Sequence, residues 1–372
     1  MKPYSGHRPR ILLVKLSALG DVIHTLPTLE ALRATYPQAR ITWLVEEAAA
    51  PLLIGHPALN DVWVSRRRSW LRPWQNGLSW AQAAQDLTRL IHQLRHAEFD
   101  LVIDVQGLLK SALWVALARS PRKIGYDRTR EGSYLVLTER LPPFDREAHA
   151  VWRYLNLARY LGAAPAPPRF RLPLQEDTGA WLAPVWQERT GPLIVLHPAA
   201  RWPSKCWPEA RFAELADRLA TDRQARIVFT GGANDPPLVA RIKARMQTAA
   251  LDLSGRTNLL ELARLFQQAD LAVTTDTGPM HLAAAMGTPV VALFGPTAPW
   301  RTGPFGDRHQ IVRLDLPCSP CFQRCCPHPD CMTGIGVEAV WTAVQQRLRF
   351  PYLDPPAPRK GGLPRLTPSK TV

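Results

Sequence analysis

The sequence predicts an α/β fold in which two doubly wound parallel sheets, each in its own Rossmann-like domain, face one cleft. Short runs rich in Val, Ile and Leu alternate with helical segments, and such runs suit strands that are buried on both faces. The alternation occurs twice, on either side of a stretch of small residues and prolines at 162–168. A chain of 372 residues is long enough for two such domains.

The change in composition near residue 165 sets the predicted domain boundaries. We assign residues 1–165 to an N-terminal domain, 166–190 to a linker with a first helix, and 191–350 to a C-terminal domain. Residues 351–372 are basic and rich in proline without any periodicity, which predicts a disordered tail.

In the N-terminal half the predicted elements follow one another as in a parallel sheet. A strand at 11–15 leads through a loop at 16–21 into a helix at 22–36. The elements predicted after it are a strand at 41–46, an arginine-rich loop at 65–74, a helix at 80–95, a strand at 101–104 and a helix at 108–117.

The C-terminal half repeats this order, and its most informative stretch is 270–297. There a buried strand ends near residue 274, a helix covers 280–286, and a second buried strand covers 290–294. Thr277 is a suitable cap for the helix, and Gly278 would let a ligand approach the backbone closely. Because a helix start beside a parallel strand end carries free N–H groups, we predict an anion site here.

The charge of the chain indicates an anionic partner. Lysine and arginine number 46 against 31 acidic residues, a net charge of +15. A nucleic acid, an anionic membrane surface or a phosphorylated substrate would each suit this charge, and so would a generally basic surface without a function. No segment reaches the ~18 apolar residues of a membrane span, and Lys15 interrupts the first apolar run. We therefore expect a cytoplasmic protein with reduced thiols.

Polar residues follow two predicted strands of the N-terminal half. Asp21 lies beside a glycine after the first strand, where a carboxylate either points into the crevice at the sheet edge or only caps the helix. Lys110 follows the strand at 101–104 and is either part of an anion site or a solvated lysine. The arginines at 66–68 precede Trp70 and Trp74, a composition that suits phosphates, carboxylates or a membrane interface, or a solvated loop.

Five cysteines lie within residues 318–331. Their density favours a zinc or iron–sulfur site, whereas the paired spacing of a zinc ribbon is missing, so a thiol-rich structural loop is the alternative. The candidate metal ligands are Cys318, Cys321, Cys325 and Cys331.

Four motifs together resemble glycosyltransferase family 9, the ADP-heptose:lipopolysaccharide heptosyltransferases. They are K-L-S-A-L-G-D-V-I-H-T-L-P at 15–27, D-V-Q-G-L-L-K-S-A at 104–112, K-C-W-P at 205–208 and D-T-G-P-M-H-L-A-A-A-M-G-T-P-V-V-A-L-F-G-P-T at 276–297. The resemblance covers about residues 10–345. W-L-V-E-E at 43–47 and H-A-V-W-R at 149–153 resemble heptosyltransferase I, whereas C-S-P-C at 318–321 is more similar to heptosyltransferase II, so the subfamily stays open.

The resemblance implies a GT-B fold and an inverting transfer of L-glycero-D-manno-heptose from ADP-heptose to the Kdo/heptose inner core of lipopolysaccharide. It implies a metal-independent enzyme that requires no cofactor and whose partners are ADP-heptose and Kdo2-lipid A or a heptosylated core. We expect such an enzyme to act as a monomer, peripherally on the anionic inner face of the inner membrane, and not to bind nucleic acid.

Family roles carry over to matching positions. Asp21 becomes the general base that deprotonates the acceptor hydroxyl, and Lys205 stabilises the departing ADP. The implied donor-binding residues are Lys15, Arg201, Asp235, Asp276, Thr277, Gly278 and His281. The implied acceptor-binding residues are Arg66, Arg67, Lys110, Arg130, His149 and Arg153. One departure is the pair Ala199 and Ala200, where some members of the family carry hydroxyl residues before the donor lysine.

Other classes of protein fit less well. A basic nucleic-acid-binding protein would explain the charge but not the two glycine-punctuated crevices. An NAD(P)-dependent oxidoreductase would need G-x-G-x-x-G, which residues 16–21 lack. A nucleotide-sugar epimerase would not need the arginine-rich loop, and a family 9 transferase with another sugar nucleotide or acceptor is the nearer alternative.

Overall fold

A computed structural model describes residues 8–188 and 190–348 and contains two parallel six-stranded sheets. The first sheet contains β1 (Arg10–Val14), β2 (Arg40–Glu46), β3 (Asp61–Ser65), β4 (Leu101–Asp104), β5 (Arg122–Tyr126) and β6 (Glu139–Leu141). The second contains β7 (Leu193–His197), β8 (Arg226–Phe229), β9 (Leu251–Asp252), β10 (Leu271–Thr275), β11 (Val290–Phe294) and β12 (Gln310–Arg313). The tail predicted at 351–372 lies outside the described residues.

Helices cover the faces of both sheets. In the N-terminal half they are α1 (Leu19–Thr35), α2 (Arg67–Leu71), α3 (Trp80–His96), α4 (Leu109–Leu117) and α5 (Ala150–Tyr160). The helices that follow are α6 (Ala183–Gln187), α7 (Glu209–Arg223), α8 (Pro236–Lys243), α9 (Leu259–Gln268), α10 (Gly278–Ala285), α11 (Pro299–Thr302), α12 (Asp330–Thr333) and α13 (Val337–Leu348). Short 3₁₀ turns cover Glu47–Leu52, Pro73–Asn76, Arg130–Val136, Ala180–Leu182 and Pro203–Lys205.

The two sheets share one strand order. The order of the first is β3-β2-β1-β4-β5-β6 and that of the second is β12-β11-β10-β7-β8-β9. In each sheet the strand order reverses between the first and fourth strands in sequence, which lie side by side. All ladders are parallel, and the central strands β7, β10 and β11 are buried along their whole length, as their apolar sequences predict. In such sheets ligands bind where the strand order reverses, beyond the carboxyl ends of the strands. The doubly wound α/β fold is confirmed, and the exact domain boundaries stay a prediction.

The two halves meet where α1 and α10 begin. A Cβ atom on Gly20 would lie 2.3 Å from Cδ2 of His281, and one on Gly278 would lie 2.7 Å from Cδ2 of Leu19. Both glycines therefore permit direct packing of the two helices. One apolar core cluster contains Ile11 of β1 as well as residues of the second sheet. Gly278 thus makes room for a leucine of the other half, and its predicted role in admitting a ligand stays a prediction.

Three local expectations differ from the structure. Helix α1 begins at Leu19, three residues before the predicted start, because Asp21 is the third helical residue and its carboxylate accepts the Ala18 N–H at 3.2 Å. The predicted arginine-rich loop contains the short helix α2. This helix forms because Trp70 is buried against Trp114, with the two ring centroids 6.0 Å apart. Thr277 occupies the N-cap position of α10, but its side chain makes no capping hydrogen bond.

The substitution Gly20→Ala tests the packing of the two helices. The added methyl group meets the buried ring of His281, so we expect a loss of about 1–3 kcal/mol in the free energy of unfolding. Gly336→Ala is the matched control, because a Cβ atom there meets nothing within 4 Å. Urea denaturation of both variants measures the difference, and equal stabilities would contradict the close packing.

Candidate active site

Asp21 is held by a chain of hydrogen bonds in the first turn of α1. The Tyr154 hydroxyl donates to Oδ1 of Asp21 at 2.7 Å and accepts from Nζ of Lys15 at 3.0 Å. Lys15 and Tyr154 are buried, whereas 32% of the Asp21 side chain remains exposed. The carboxylate is therefore held in one orientation by Tyr154 and remains partly accessible to solvent.

The charge state of Asp21 follows from this environment. Burial by itself would raise its pKa, but Lys15, the Tyr154 hydroxyl, the Ala18 N–H and Arg153 outweigh that effect, so the pKa lies below its ordinary value. Asp21 is accordingly ionised at neutral pH. An ionised, partly exposed carboxylate with a fixed orientation has the properties of a proton acceptor.

A cavity of about 380 Å³ opens in front of Asp21. Its wall includes a neighbouring carboxyl group, Asp104, whose pKa burial raises to about 6 even though it accepts bonds from Gly107, Ser111 and Gln106. Six cationic side chains also line the cavity. They are Lys15, Arg128, Arg130, Arg146, Arg153 and Arg301. This excess of positive charge favours an anionic ligand.

The second sheet places an ion pair at its own strand ends, with Asp276 buried and Lys205 partly buried. Nζ of Lys205, in the loop after β7, lies 2.6 Å from Oδ2 of Asp276, which follows β10. The hydroxyl of Thr297, after β11, donates to the same oxygen at 2.6 Å. Lys205 also lies over the ring of Trp202, 4.4 Å from its centroid. A cation and the N-terminus of α10 thus meet at the point where this sheet reverses its strand order.

Three histidines fill the contact between the halves. The ring centroid of His24, on α1, lies 4.3 Å from that of His281 and 5.1 Å from that of His149. Burial lowers the pKa of His281 to about 4, although Asp276 and Asp21 both act in the opposite direction. His281 is therefore near both carboxylates and neutral at pH 7, so it offers a hydrogen bond and not a positive charge.

Comparisons with known proteins agree with this geometry. The profile of glycosyltransferase family 9 (heptosyltransferase) matches residues 87–331. The chain is 33% identical to lipopolysaccharide heptosyltransferase 1 of Pseudomonas aeruginosa, over 92% of this chain and 99% of the relative. The chain belongs to glycosyltransferase family 9.

Solved structures of this family share the fold. A heptosyltransferase of E. coli solved with ADP has a TM-score of 0.74 and 27% identity, covering 91% of this chain and 99% of that chain. The ADP-heptose lipopolysaccharide heptosyltransferase II of E. coli has a TM-score of 0.72 and 26% identity, with coverages of 91% and 98%. The chain is thus a glycosyltransferase with the GT-B fold, and the predicted family is confirmed.

The acceptor residues implied by family 9 fall into two groups. Arg130 and Arg153 line the cavity in front of Asp21. The other four do not line it and have partners within the protein. Arg66 pairs with Asp86 and Glu47, Arg67 and Lys110 pair with Glu46, and His149 bonds the carbonyl oxygen of Gly303 at 3.1 Å. His149 belongs to the contact between the halves.

The remaining donor candidates lie at the ends of the second sheet. Arg201 is exposed in the loop after β7, and Asp235 precedes α8 and accepts the Gly232 N–H at 2.7 Å. The cysteines are free thiols, and burial, followed by nearby Cys321, Cys318 and Cys326, raises the pKa of Cys331. Within 8–188 and 190–348 no three His, Cys, Asp or Glu side chains are arranged to hold a metal ion. Among the same residues no helix is long and apolar enough to cross a membrane.

Sequence reasoning missed three residues of this family 9 site. Tyr154 belongs to a regular amphipathic helix, where a tyrosine is expected to be a core residue. Only its hydrogen bond to Asp21 shows that it belongs to the site. Arg146 reaches the cavity from a loop and Arg301 from the short helix α11 of the C-terminal half, and neither segment carries a motif. The local signal for these arginines is the basic composition alone.

Tyr154→Phe tests whether the tyrosine tunes Asp21. Removing the hydroxyl removes a hydrogen bond that lowers the pKa of Asp21, so the pKa of the carboxyl should rise. A general base acts only when ionised, so with Asp21 in that role the acid limb of the profile of kcat/KM against pH should move to higher pH. Tyr160→Phe, an exposed tyrosine bonded to Glu139, is the control. An unshifted acid limb would remove Tyr154 from the positioning of Asp21.

His24→Phe tests the histidine contact. Neither ring nitrogen of His24 has a hydrogen-bond partner among the described residues, so an apolar ring should be tolerated at pH 7.5. Burial lowers the pKa of His24 in the folded chain, so below about pH 6.5 protons bind the unfolded chain preferentially. Wild-type stability should fall relative to the variant by up to about 1.4 kcal/mol per pH unit. Urea denaturation at pH 7.5 and 5.5 measures this, and a constant difference would contradict it.

Proposed function

We propose that this enzyme transfers L-glycero-D-manno-heptose from ADP-heptose to the Kdo/heptose inner core of lipopolysaccharide, with inversion at the anomeric carbon. The observation that carries the proposal is the placement of ionised Asp21 beside a cationic cavity and near the Lys205–Asp276 pair of the other half. The name of the Pseudomonas relative and the ADP bound to the E. coli heptosyltransferase support this choice of donor and acceptor.

The reaction needs one base and one site of positive charge. The acceptor oxygen forms a bond to the anomeric carbon while the bond from that carbon to the phosphate oxygen breaks, and ADP leaves with the electron pair. Asp21 takes the hydroxyl proton. Its low pKa makes it a weak base, but the hydroxyl becomes strongly acidic as its oxygen bonds to carbon, so a late transfer suffices. An inverting displacement requires no covalent intermediate on the protein.

Charge on the departing diphosphate is balanced by the protein. Lys205 supplies one positive charge, and the N-terminus of α10 supplies N–H groups and the positive end of a helix dipole. We therefore propose that transfer is metal-independent. Asp276, bonded to both Lys205 and Thr297, orients the lysine and does not accept a proton from the substrate.

The cationic cavity suits an acceptor with several negative charges. Arginine binds carboxylates and phosphates in a forked, bidentate geometry, and Kdo carboxylates and lipid A phosphates are such groups. Arg130, Arg153 and the newly found Arg146 and Arg301 are the residues that we assign to this acceptor. Since the acceptor is anchored in lipid, we also propose that the enzyme is cytoplasmic and acts peripherally on the inner face of the inner membrane.

The decisive experiment offers purified enzyme ADP-heptose with either Kdo2-lipid A or its heptosylated form, with and without EDTA. We expect one of the two acceptors to gain the mass of one heptose, at a rate that EDTA does not change. Asp21→Asn should lower kcat by about 10²–10⁴-fold, because the base is lost, while ADP-heptose binding by calorimetry is retained.

Asp222→Asn, on the exposed face of α7, is the matched control and should remain active. No product with either acceptor would indicate a family 9 transferase with a different donor or acceptor. Normal turnover by Asp21→Asn would overturn the assignment of the base.

A further inference from the structure

Six large apolar side chains on the segments that follow β3, β4 and β5 lie largely in solvent. They are Leu71, Trp74, Trp80, Leu109, Leu113 and Leu135, and we call this set the apolar face. Each exposes between 57% and 67% of its surface. Two other tryptophans, Trp70 of α2 and Trp114 of α4, are buried with their ring centroids 6.0 Å apart. The exposed tryptophans, Trp74 and Trp80, therefore do not belong to the hydrophobic core.

The apolar face lies on the same edge of the sheet as Asp21. Its residues belong to segments that follow β3, β4 and β5 or, for Trp80, to the start of the helix that leads back from this edge. The ring centroids of Trp74 and Trp80 lie 5.7 Å apart. Glu46, at the end of β2, pairs with both Arg67 of α2 and Lys110 of α4, which ties the two helices together. The apolar face and the cavity therefore lie at the same edge of the first sheet.

Positive charge surrounds the apolar face. The exposed arginines on the segments that carry it are Arg66, Arg68, Arg72, Arg128 and Arg130. Acidic groups of this region are engaged within the protein. Glu47 and Asp86 pair with Arg66, and Asp127 pairs with Arg128. The Glu131 carboxylate accepts the Leu109 N–H at 2.9 Å. Tryptophan and leucine among arginines are typical of surfaces at the boundary between anionic headgroups and acyl chains.

We propose that the apolar face docks the enzyme onto an anionic lipid bilayer, with Trp74 and Trp80 at the level of the headgroups. The proposal rests on the proposed function only in that a lipid-anchored acceptor gives docking its purpose. Docking in this orientation directs the mouth of the Asp21 cavity toward the membrane. The sugar of a lipid-anchored acceptor then reaches Asp21 while its acyl chains stay in the bilayer.

The first test uses the full chain and vesicles that contain neither donor nor acceptor. Wild-type protein should sediment with vesicles of phosphatidylglycerol and phosphatidylethanolamine, less so as salt is raised, and hardly with phosphatidylcholine alone. The double variant Trp74→Ser/Trp80→Ser should bind at least about tenfold more weakly, because two aromatic anchors are lost. Trp181→Ser, an exposed tryptophan bonded to Glu261 of the other half, is the matched control and should bind like wild type.

A second pair, Leu109→Ser/Leu113→Ser, probes the other side of the apolar face and should weaken vesicle binding as well. Thermal unfolding establishes that each variant is folded. Equal vesicle binding by wild type and both double variants, or equal binding to anionic and neutral vesicles, would overturn the proposal. Self-association of the wild type that the variants abolish, with no vesicle binding, would make the face a contact between copies of this chain.

A third arm separates docking from catalysis. Turnover of an acceptor embedded in vesicles should fall in Trp74→Ser/Trp80→Ser, while turnover of a deacylated, water-soluble acceptor stays at the wild-type rate. Equal losses with both acceptors would overturn docking as the role of these residues. If no acceptor of this class is used at all, the proposed function fails, and the vesicle binding of the first arm still decides the inference.

Discussion

The direct packing of α1 against α10 is the constraint on which the site depends. Each helix begins at the carboxyl end of a central strand, and Gly20 and Gly278 remove the side chains that would hold them apart. Two helix starts that belong to different sheets therefore meet. Because of this contact, His281 lies near both Asp21 and Asp276, and Arg301 of one half reaches a cavity formed mainly by the other.

The contact also contains buried polar atoms that have no hydrogen-bond partner within the described part of the chain. Neither ring nitrogen of His24 nor Nδ1 of His281 has a hydrogen-bond partner among the described residues. Buried polar groups without partners cost stability, and native proteins retain few of them. Burial keeps these rings neutral at pH 7, which limits that cost and leaves positive charge to the arginines and lysines that face the cavity.

Much of this architecture could be predicted from sequence, because buried parallel strands and glycine-marked strand ends leave local signals. The strand at 101–104 and the strand at 290–294 have the predicted bounds, and Asp21, Lys205 and Asp276 lie at the predicted sheet edges. What could not be predicted depends on contacts between distant residues. Tyr154 lies 133 positions from Asp21, and nothing in its own helix marks it as different from a core tyrosine.

Errors of local structure had similar causes. The predicted start of α1 was wrong because Asp21, which suited a cap before the helix, is the third residue of the helix, and its carboxylate accepts the Ala18 N–H. The packing role of Gly278 was not predicted, because a glycine at a helix start suits a ligand and a neighbouring side chain equally, and only the structure shows Leu19 beside it. The short helix α2 formed because tertiary burial of Trp70 outweighs the weak helical preference of its neighbours.

The ion pair between Lys205 and Asp276 has a consequence for product release. A lysine that met only the diphosphate would be left buried and unpaired whenever ADP departed, and that cost would hold the product in place. Here Asp276 stays 2.6 Å away, so the lysine always has an anion beside it. In the proposed mechanism this carboxylate would compete with the diphosphate for Lys205. The competition would weaken the affinity for ADP and ease its release before the next cycle.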